Sequence, residues 1–179
     1  CNKLTQRVID ELAKNGIEEI SEGEWIVSLV TNIKRSNLYT DKLINAKYVE
    51  QINNILQDRI TGRPLWYCIG NVDFYGLNLK VDERALIPRP ETELLVENAM
   101  KHIDCNANVL DLCTGSGAIA ISIAKSKPCS VTAVDLSEEA LSLAKENAII
   151  NNTNVTFVKS DMFENLLGCK FDVIVSNPP

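Results

Sequence analysis

Histidine is nearly missing from this chain: His102 is the only one in 179 residues. The six cysteines (Cys1, Cys68, Cys105, Cys113, Cys129 and Cys169) never fall into a Cys-x-x-Cys spacing. With one imidazole and no paired thiols, no zinc constellation can be assembled, and no metal is expected. Several of the cysteines lie in or beside apolar runs, where a reduced thiol acts as a small hydrophobe. That usage points to a reducing, cytoplasmic setting. No apolar run approaches the ~20 residues a bilayer span needs. No signal peptide is read at the start, and no membrane association is expected. A basic excess is also lacking. Residues 1–65 carry nine Lys/Arg and nine Asp/Glu, so the whole net charge of −6 falls on residues 66–179. Without a basic stripe, broad nucleic-acid binding is disfavoured.

What is present is an ordinary globular composition, 45% hydrophobic and 23% charged. The length suits one domain, or one with a small appendage, and supports a substantial core. The first residue is Cys rather than Met, which suggests a trimmed chain or fragment.

Three regions differ in pattern. In the first sixty residues apolar positions recur at helical spacing: Leu4, Val8, Ile9 and Leu12; Trp25, Ile26, Leu29, Val30 and Ile33; then Tyr48, Ile52, Ile55 and Leu56. A small helical domain over residues 1–64 follows, suited to contacting a substrate or partner. Thr61-Gly62-Arg63-Pro64 breaks it. Residues 65–87 are rich in aromatic and β-branched side chains, with turn points at Gly70-Asn71 and Gly76, and read as a β-hairpin linker. From 88 to 179 strand and helix alternate. Pro90-Glu91-Thr92-Glu93 opens a helix, with proline in the first turn and acids near its positive end. Strands are expected at Asn108–Cys113, Ser130–Asp135, Val155–Val158 and Phe171–Ser176, with helices at Ala118–Ser126 and Glu138–Asn147 between them. This alternation predicts an α/β fold with a parallel sheet.

The chemistry concentrates at the carboxyl ends of those strands, where parallel sheets bind ligands. Gly115-x-Gly117-x-x-Ala120 follows the first strand and opens a helix, the dinucleotide-type fingerprint in its G-x-G-x-x-A form. Asp135 ends the second strand, twenty positions after Gly115, where an acid bonds a ribose hydroxyl pair. Ser137 can cap the next helix by itself, so Asp135 is not needed for capping. Asp161 is placed to accept from an adenine amino group, with Met162 over the ring face. The last strand delivers Asn177-Pro178-Pro179, a primary amide beside a stiff corner whose carbonyls are free to accept. The bland readings are a tight strand–helix turn, solvated aspartates and, for Arg89, Glu91, Thr92 and Glu93, a capped helix start; the functional reading of those four is a wall over the cofactor and substrate pocket.

Leu86-Ile87-Pro88-Arg89-Pro90-Glu91-Thr92-Glu93, Asp111-Leu112-Cys113-Thr114-Gly115-Ser116-Gly117 and Ser176-Asn177-Pro178-Pro179 occur in this order. Together they resemble the peptide-chain-release-factor N5-glutamine methyltransferases, the HemK/PrmC family. The resemblance spans nearly the whole chain and is weakest over the first sixty residues. It implies a Rossmann-like methyltransferase domain of seven strands, incomplete here, behind a helical domain and a hairpin. It implies S-adenosyl-L-methionine held by Cys113, Thr114, Gly115, Ser116 and Gly117, by Asp135, Asp161 and Met162, and touched by Asn177. It implies that Asn177, Pro178 and Pro179 grip the glutamine of a release factor's Gly-Gly-Gln motif. A monomer is expected. Two departures stand out. Cys113 occupies a position that is usually glycine, so a positive φ there would be strained. The aromatic residue that normally follows Asn-Pro-Pro is absent, because the sequence ends at Pro179.

An amide nitrogen is a weak nucleophile and must be held in line with the methyl carbon. The Asn177 oxygen can accept one amide hydrogen and the Pro178 carbonyl the other, and this also stabilises the positive charge that develops. No His or Lys is placed as a general base, so proton loss is expected after transfer. A methyltransferase acting on adenine N6 or guanine N2 of a flipped base can use the same tip. An NAD-dependent oxidoreductase shares the glycine loop but leaves Asn-Pro-Pro unexplained. A non-enzymatic cofactor-binding or docking fragment is the fourth reading.

Overall fold

Residues 1–178 are described by a computed structural model, in which the chain divides into two compact units, Cys1–Ile69 and the part from Gly70 onward. Pro179, expected to help grip a substrate, lies outside the described residues.

The first unit is helical: α1 (Asn2–Lys14), α2 (Ile20–Thr31), a 3₁₀ turn at Arg35–Asn37, α3 (Ala46–Ile60) and α4 (Leu65–Ile69). The apolar stripes meet in one core of Val8, Leu12, Ile26, Val27, Leu38, Ile52, Leu56 and Leu65. Gly23 lets α1 and α2 approach closely; a Cβ there would stand 2.6 Å from Ile9 Cγ1. Trp25 and Trp66 pack with ring centroids 5.7 Å apart, and Arg35 lies 4.7 Å over Trp25. Arg59 forms a two-pronged ion pair with Glu22 in a half-buried position.

Helix α4 departs from the expected hairpin. Residues 65–69 have strand-like composition, but Pro64 starts a turn instead, its carbonyl accepting from Tyr67 N and Cys68 N. Leu65 then drops into the helical core, so packing overrides local propensity. The hairpin itself is shorter, β1 (Asn71–Phe74) and β2 (Leu77–Lys80). Its two turn residues, Tyr75 and Gly76, both have positive φ, as a type I′ turn requires.

The hairpin belongs to the second unit, where β2 packs against α7. Here α5 (Thr92–Met100), β3 (Asn108–Leu112), α6 (Ala118–Ser126), β4 (Ser130–Asp135), α7 (Glu138–Ile150), β5 (Thr156–Lys159), a 3₁₀ turn at Glu164–Leu166 and β6 (Val173–Ser176) follow in order. The four strands form one parallel sheet in the order β5-β4-β3-β6. The expected α/β class, with its parallel sheet, is what the chain adopts. Helices α5, α6 and α7 pack side by side, α6 against β3 and β4, α7 against β4 and β5, α5 against β6. Leu110, Leu112, Val134 and Leu166 form a second cluster with Val158 and Phe171 beside it. The chain leaves β3 toward β4 and β5, then returns to the other side of β3 as β6. This reversal opens a crevice at the carboxyl end of β3.

Several boundaries move: β3 ends at Leu112 rather than Cys113, β5 runs from Thr156 to Lys159 rather than from Val155 to Val158, and β6 begins at Val173 rather than Phe171. Helix α5 begins at Thr92, with Pro90 in the turn before it. Helix α7 runs through Asn147 to Ile150. Asn147 had looked like a helix end, but it is fully buried and turned inward. Its Oδ1 accepts from Lys80 N (2.7 Å), and its Nδ2 donates to Lys80 O (3.0 Å) and Ser116 O (2.9 Å). One buried amide, with both ends satisfied, thus ties β2 and the glycine loop to α7. Outside it, Arg84 bridges Asp82 and Glu146, and Lys80 also reaches Glu146. These cations hold the Glu146 carboxyl down to about 2, Arg84 contributing most.

Candidate active site

The crevice widens into a cavity of about 690 Å³, within the range of small-molecule sites. Its walls come from the segment before α5 (Leu86, Arg89, Glu91, Thr92) and from the ends of the four strands (Cys113 and Gly115, Asp135, Asp161 and Met162, Asn177 and Pro178). Of the expected site residues that are described, all except Thr114, Ser116 and Gly117 line it. Thr114 and Ser116 are buried beneath the loop and line a smaller adjoining pocket with Leu86, Arg89, Thr92, Cys113 and Asn177.

The glycine loop is fastened from below. Asp111, fully buried in β3, accepts from Thr114 Oγ1 (2.6 Å) and from Ala120 N (3.1 Å) through Oδ2, so it pins both ends of the loop. Thr114 N donates to Val134 O at 2.9 Å. Asp111 Oδ1 has no partner among the described residues. Burial pushes the Asp111 carboxyl up to about 7, against the lowering effect of its two hydrogen bonds. Because the folded-state value lies above the ordinary 3.8, the native protein holds an extra proton between about pH 4 and 7. Stability supplied by that proton is complete below the window and falls as pH rises through it. Asp111→Asn is therefore expected to flatten the fall in thermal midpoint between about pH 4 and 7; an equal slope in both proteins would contradict the protonated carboxyl.

The two loop glycines have different tasks. Gly115 (φ 55) is open: a Cβ there would meet only Ala85 Cβ, at 3.9 Å. Gly117 (φ 84) is a packing position, where a Cβ would come within 3.0 Å of Ala144 Cβ and 2.9 Å of Ile121 Cδ1. Cys113 does adopt a positive φ of 61, the strain anticipated from its sequence. An L-residue there costs about 1–2 kcal/mol. Cys113→Gly is expected to raise the unfolding free energy by up to about 1 kcal/mol, the rest being offset by the freer unfolded chain. Urea denaturation checks this, and a lower midpoint would refute it. Burial, with the Asp135 charge second, pushes the Cys113 thiol up, so it is a poor nucleophile.

Asp135 stands at the rim of β4. Its Oδ2 accepts from Gly115 N (2.8 Å) and its Oδ1 from Ser137 N (2.9 Å), while Ser137 Oγ caps α7 by accepting from Ala140 N (3.1 Å). The carboxylate thus braces the loop, and two of its roughly four lone-pair sites remain for a ligand. Met162, with φ 45, turns the chain beside Asp161, and both are exposed at the cavity edge.

At the far end, Ser176 Oγ donates to Leu112 O (2.9 Å), which fixes the tip of β6 to β3. Asn177 is exposed, and its Nδ2 donates to Thr92 Oγ1 at 3.3 Å. No hydrogen-bond acceptor for a ligand is supplied here by histidine; His102 is exposed past the end of α5. No cluster of His, Cys, Asp and Glu able to hold a metal occurs among the described residues.

Comparison with known proteins bears on the family and the fold. The model of the family described as Methyltransferase small domain matches residues 90–179. A release factor glutamine methyltransferase of Streptococcus pneumoniae is 52% identical over 130 residues, covering 72% of this chain and 46% of that protein. One of Aliivibrio fischeri is 41% identical, covering 98% of this chain and 64% of its own. The chain thus spans roughly half to two thirds of the length of these relatives. Among solved structures, the T. thermophilus 16S rRNA N2 G1207 methyltransferase, in complex with AdoMet and guanosine, aligns with a TM-score of 0.51 at 24% identity, covering 61% of this chain and 32% of that one. That likeness concerns the fold alone. On the match over its second unit, the chain belongs to the family of the methyltransferase small domain.

Proposed function

We propose that the protein of which this chain is the catalytic part transfers a methyl group from S-adenosyl-L-methionine to the side-chain amide nitrogen of the glutamine in a release factor's Gly-Gly-Gln motif, in support of translation termination. The observation that carries this reading is the pairing, across one cavity, of a braced glycine loop with an amide tip whose oxygen takes no hydrogen bond among the described residues. The relatives' names supply the substrate class. The cytoplasm and a monomeric state belong to the same proposal.

The cavity residues fit the cofactor. Gly115 leaves room for close backbone approach, Asp135 retains acceptor sites for a ribose, and Asp161 and Met162 offer an acceptor and an apolar face for adenine. Cys113, Thr114, Ser116 and Gly117 complete the loop, with Thr114 and Ser116 shaping it from beneath. Bound there, S-adenosylmethionine supplies a sulfonium-activated methyl group. The chain's part is orientation. Asn177 Oδ1 and the Pro178 carbonyl each accept one hydrogen of the glutamine NH₂, which fixes the nitrogen and favours the positive charge it gains on transfer. Pro178 carries no N–H, so the corner presents acceptors only. The lost proton then leaves to solvent.

The test is transfer of labelled methyl from S-adenosylmethionine to a release factor, beside RNA and DNA. Label on the Gly-Gly-Gln glutamine, absent when that residue is Ala, supports the reading. Label on nucleic acid alone favours an exocyclic-amine methyltransferase instead, a reading with less support here because the second unit is acidic.

A further inference from the structure

The sequence offers two readings of Thr92, a capped helix start or part of a wall over the cofactor and substrate pocket, and neither gives its hydroxyl a partner. In the fold it is the first residue of α5 and only 9% exposed. It lines the main cavity beside Asn177, and its Oγ1 accepts from Asn177 Nδ2 at 3.3 Å. The two residues lie 85 positions apart in sequence.

An asparagine amide has two orientations related by a half-turn, one offering oxygen to a neighbour and the other NH₂. Only the first can receive the hydrogens of a substrate amide; the second sets donor against donor. On an exposed tip such as Asn177, water satisfies both equally. A hydroxyl that takes the Nδ2 hydrogen leaves Oδ1 as the open end. We propose that Thr92 is a positioning residue, which holds the Asn177 amide with its oxygen available to the substrate NH₂. This rests on the function proposed above.

The support of Thr92 is itself fixed. Thr92 N donates to Arg89 O at 2.9 Å, so the turn before α5 is closed. One residue on, Glu93 Oε1 accepts from Tyr75 N (2.8 Å) at the hairpin turn. On the other side Ser176 is tied to β3. Asn177 is therefore approached by two anchored elements, and Thr92 is the contact between them.

Thr92→Val keeps the shape of the side chain and removes the acceptor; Thr92→Ser keeps the hydroxyl. Turnover on a release factor is expected to fall about tenfold in Thr92→Val, the scale of one hydrogen bond's worth of orientation. Affinity for S-adenosylhomocysteine and the thermal midpoint should stay close to those of the unsubstituted protein, and Thr92→Ser should recover most of the turnover. Independently of activity, the ¹⁵N side-chain amide resonances of Asn177 should be distinct in the unsubstituted protein and in Thr92→Ser, and collapse toward those of a free asparagine in Thr92→Val. Undiminished turnover in Thr92→Val, beside a loss in Asn177→Ala, overturns the positioning role and leaves the function standing. If the unsubstituted protein methylates no glutamine, the function falls, and the amide spectrum decides alone: unchanged Asn177 signals in Thr92→Val overturn the inference.

Discussion

Replacing Asn177 with alanine is expected to lower methyl transfer to the release-factor glutamine by more than about 10²-fold, the usual scale for loss of one oriented hydrogen-bonding group at a charge-developing atom. The side chain is exposed and contributes one 3.3 Å hydrogen bond to the fold, so the thermal midpoint should barely change. Cofactor affinity should fall little, because the loop at 113–117, Asp135 and the Asp161-Met162 edge supply most of the cavity wall. The loss should therefore appear in kcat rather than in the KM for S-adenosylmethionine. The reasoning is that an amide nitrogen, with its lone pair delocalised, reacts only when held in line, and the acceptors that hold it gain strength as it becomes positive. Radiolabel transfer under single-turnover conditions measures this directly. Near-normal turnover would remove Asn177 from the chemistry and leave the orientation of the amide to the backbone carbonyls of this tip.

The α/β class and the ends of the strands were legible because each strand has a simple local signature. Asn108 to Cys113 and Ser130 to Asp135 are short apolar runs that close on a glycine turn or an acid; the second strand formed as read and the first ended one residue early, at Leu112. Asp135 was legible as a carboxyl at a strand end. Its role as a brace for Gly115 was not, because that hydrogen bond joins residues on different strands. Asn147, and the bond of the Thr92 hydroxyl to Asn177, were missed for the same reason. Asn147 and Thr92 are polar residues in helices, and each acquires its meaning from a partner 67 or 85 positions away. No local pattern separates a buried Asn that holds a strand from an Asn at a fraying helix end. Residues 65–69 misled in the opposite sense, since their aromatic content favours a strand but Leu65 and Trp66 find partners in a helical core. Cys113 was the one place where strain could be read ahead, because only its backbone φ was in question.

The glycine loop allows folding and binding to be separated by two similar substitutions. Gly117→Ala is expected to lower the unfolding free energy by about 2–5 kcal/mol, combining about 1–2 for a left-handed backbone with about 1–3 for overpacking. The second contribution arises because the new Cβ would sit 3.0 Å from Ala144 Cβ, 3.3 Å from Ala144 Cα and 2.9 Å from Ile121 Cδ1. Ile121 can turn its terminal methyl aside, but the Ala144 backbone belongs to α7, and α7 is held to the loop by Asn147 through Ser116 O. Relief would need α6 and α7 to separate, so the cost cannot be spread cheaply. In a domain of about 5–15 kcal/mol total stability, this is a large fraction. Gly115→Ala bears a similar backbone penalty, with φ 55, but meets no crowding, since only Ala85 Cβ lies near at 3.9 Å. It should lose about 1–2 kcal/mol and, by adding a methyl where the ligand must approach the backbone, most of its S-adenosylhomocysteine affinity. Urea denaturation ranks the two variants by stability, and calorimetry at a temperature where both are folded ranks them by affinity. Equal losses of stability, or undiminished affinity in Gly115→Ala, would show that the two glycines do not divide packing and ligand approach between them.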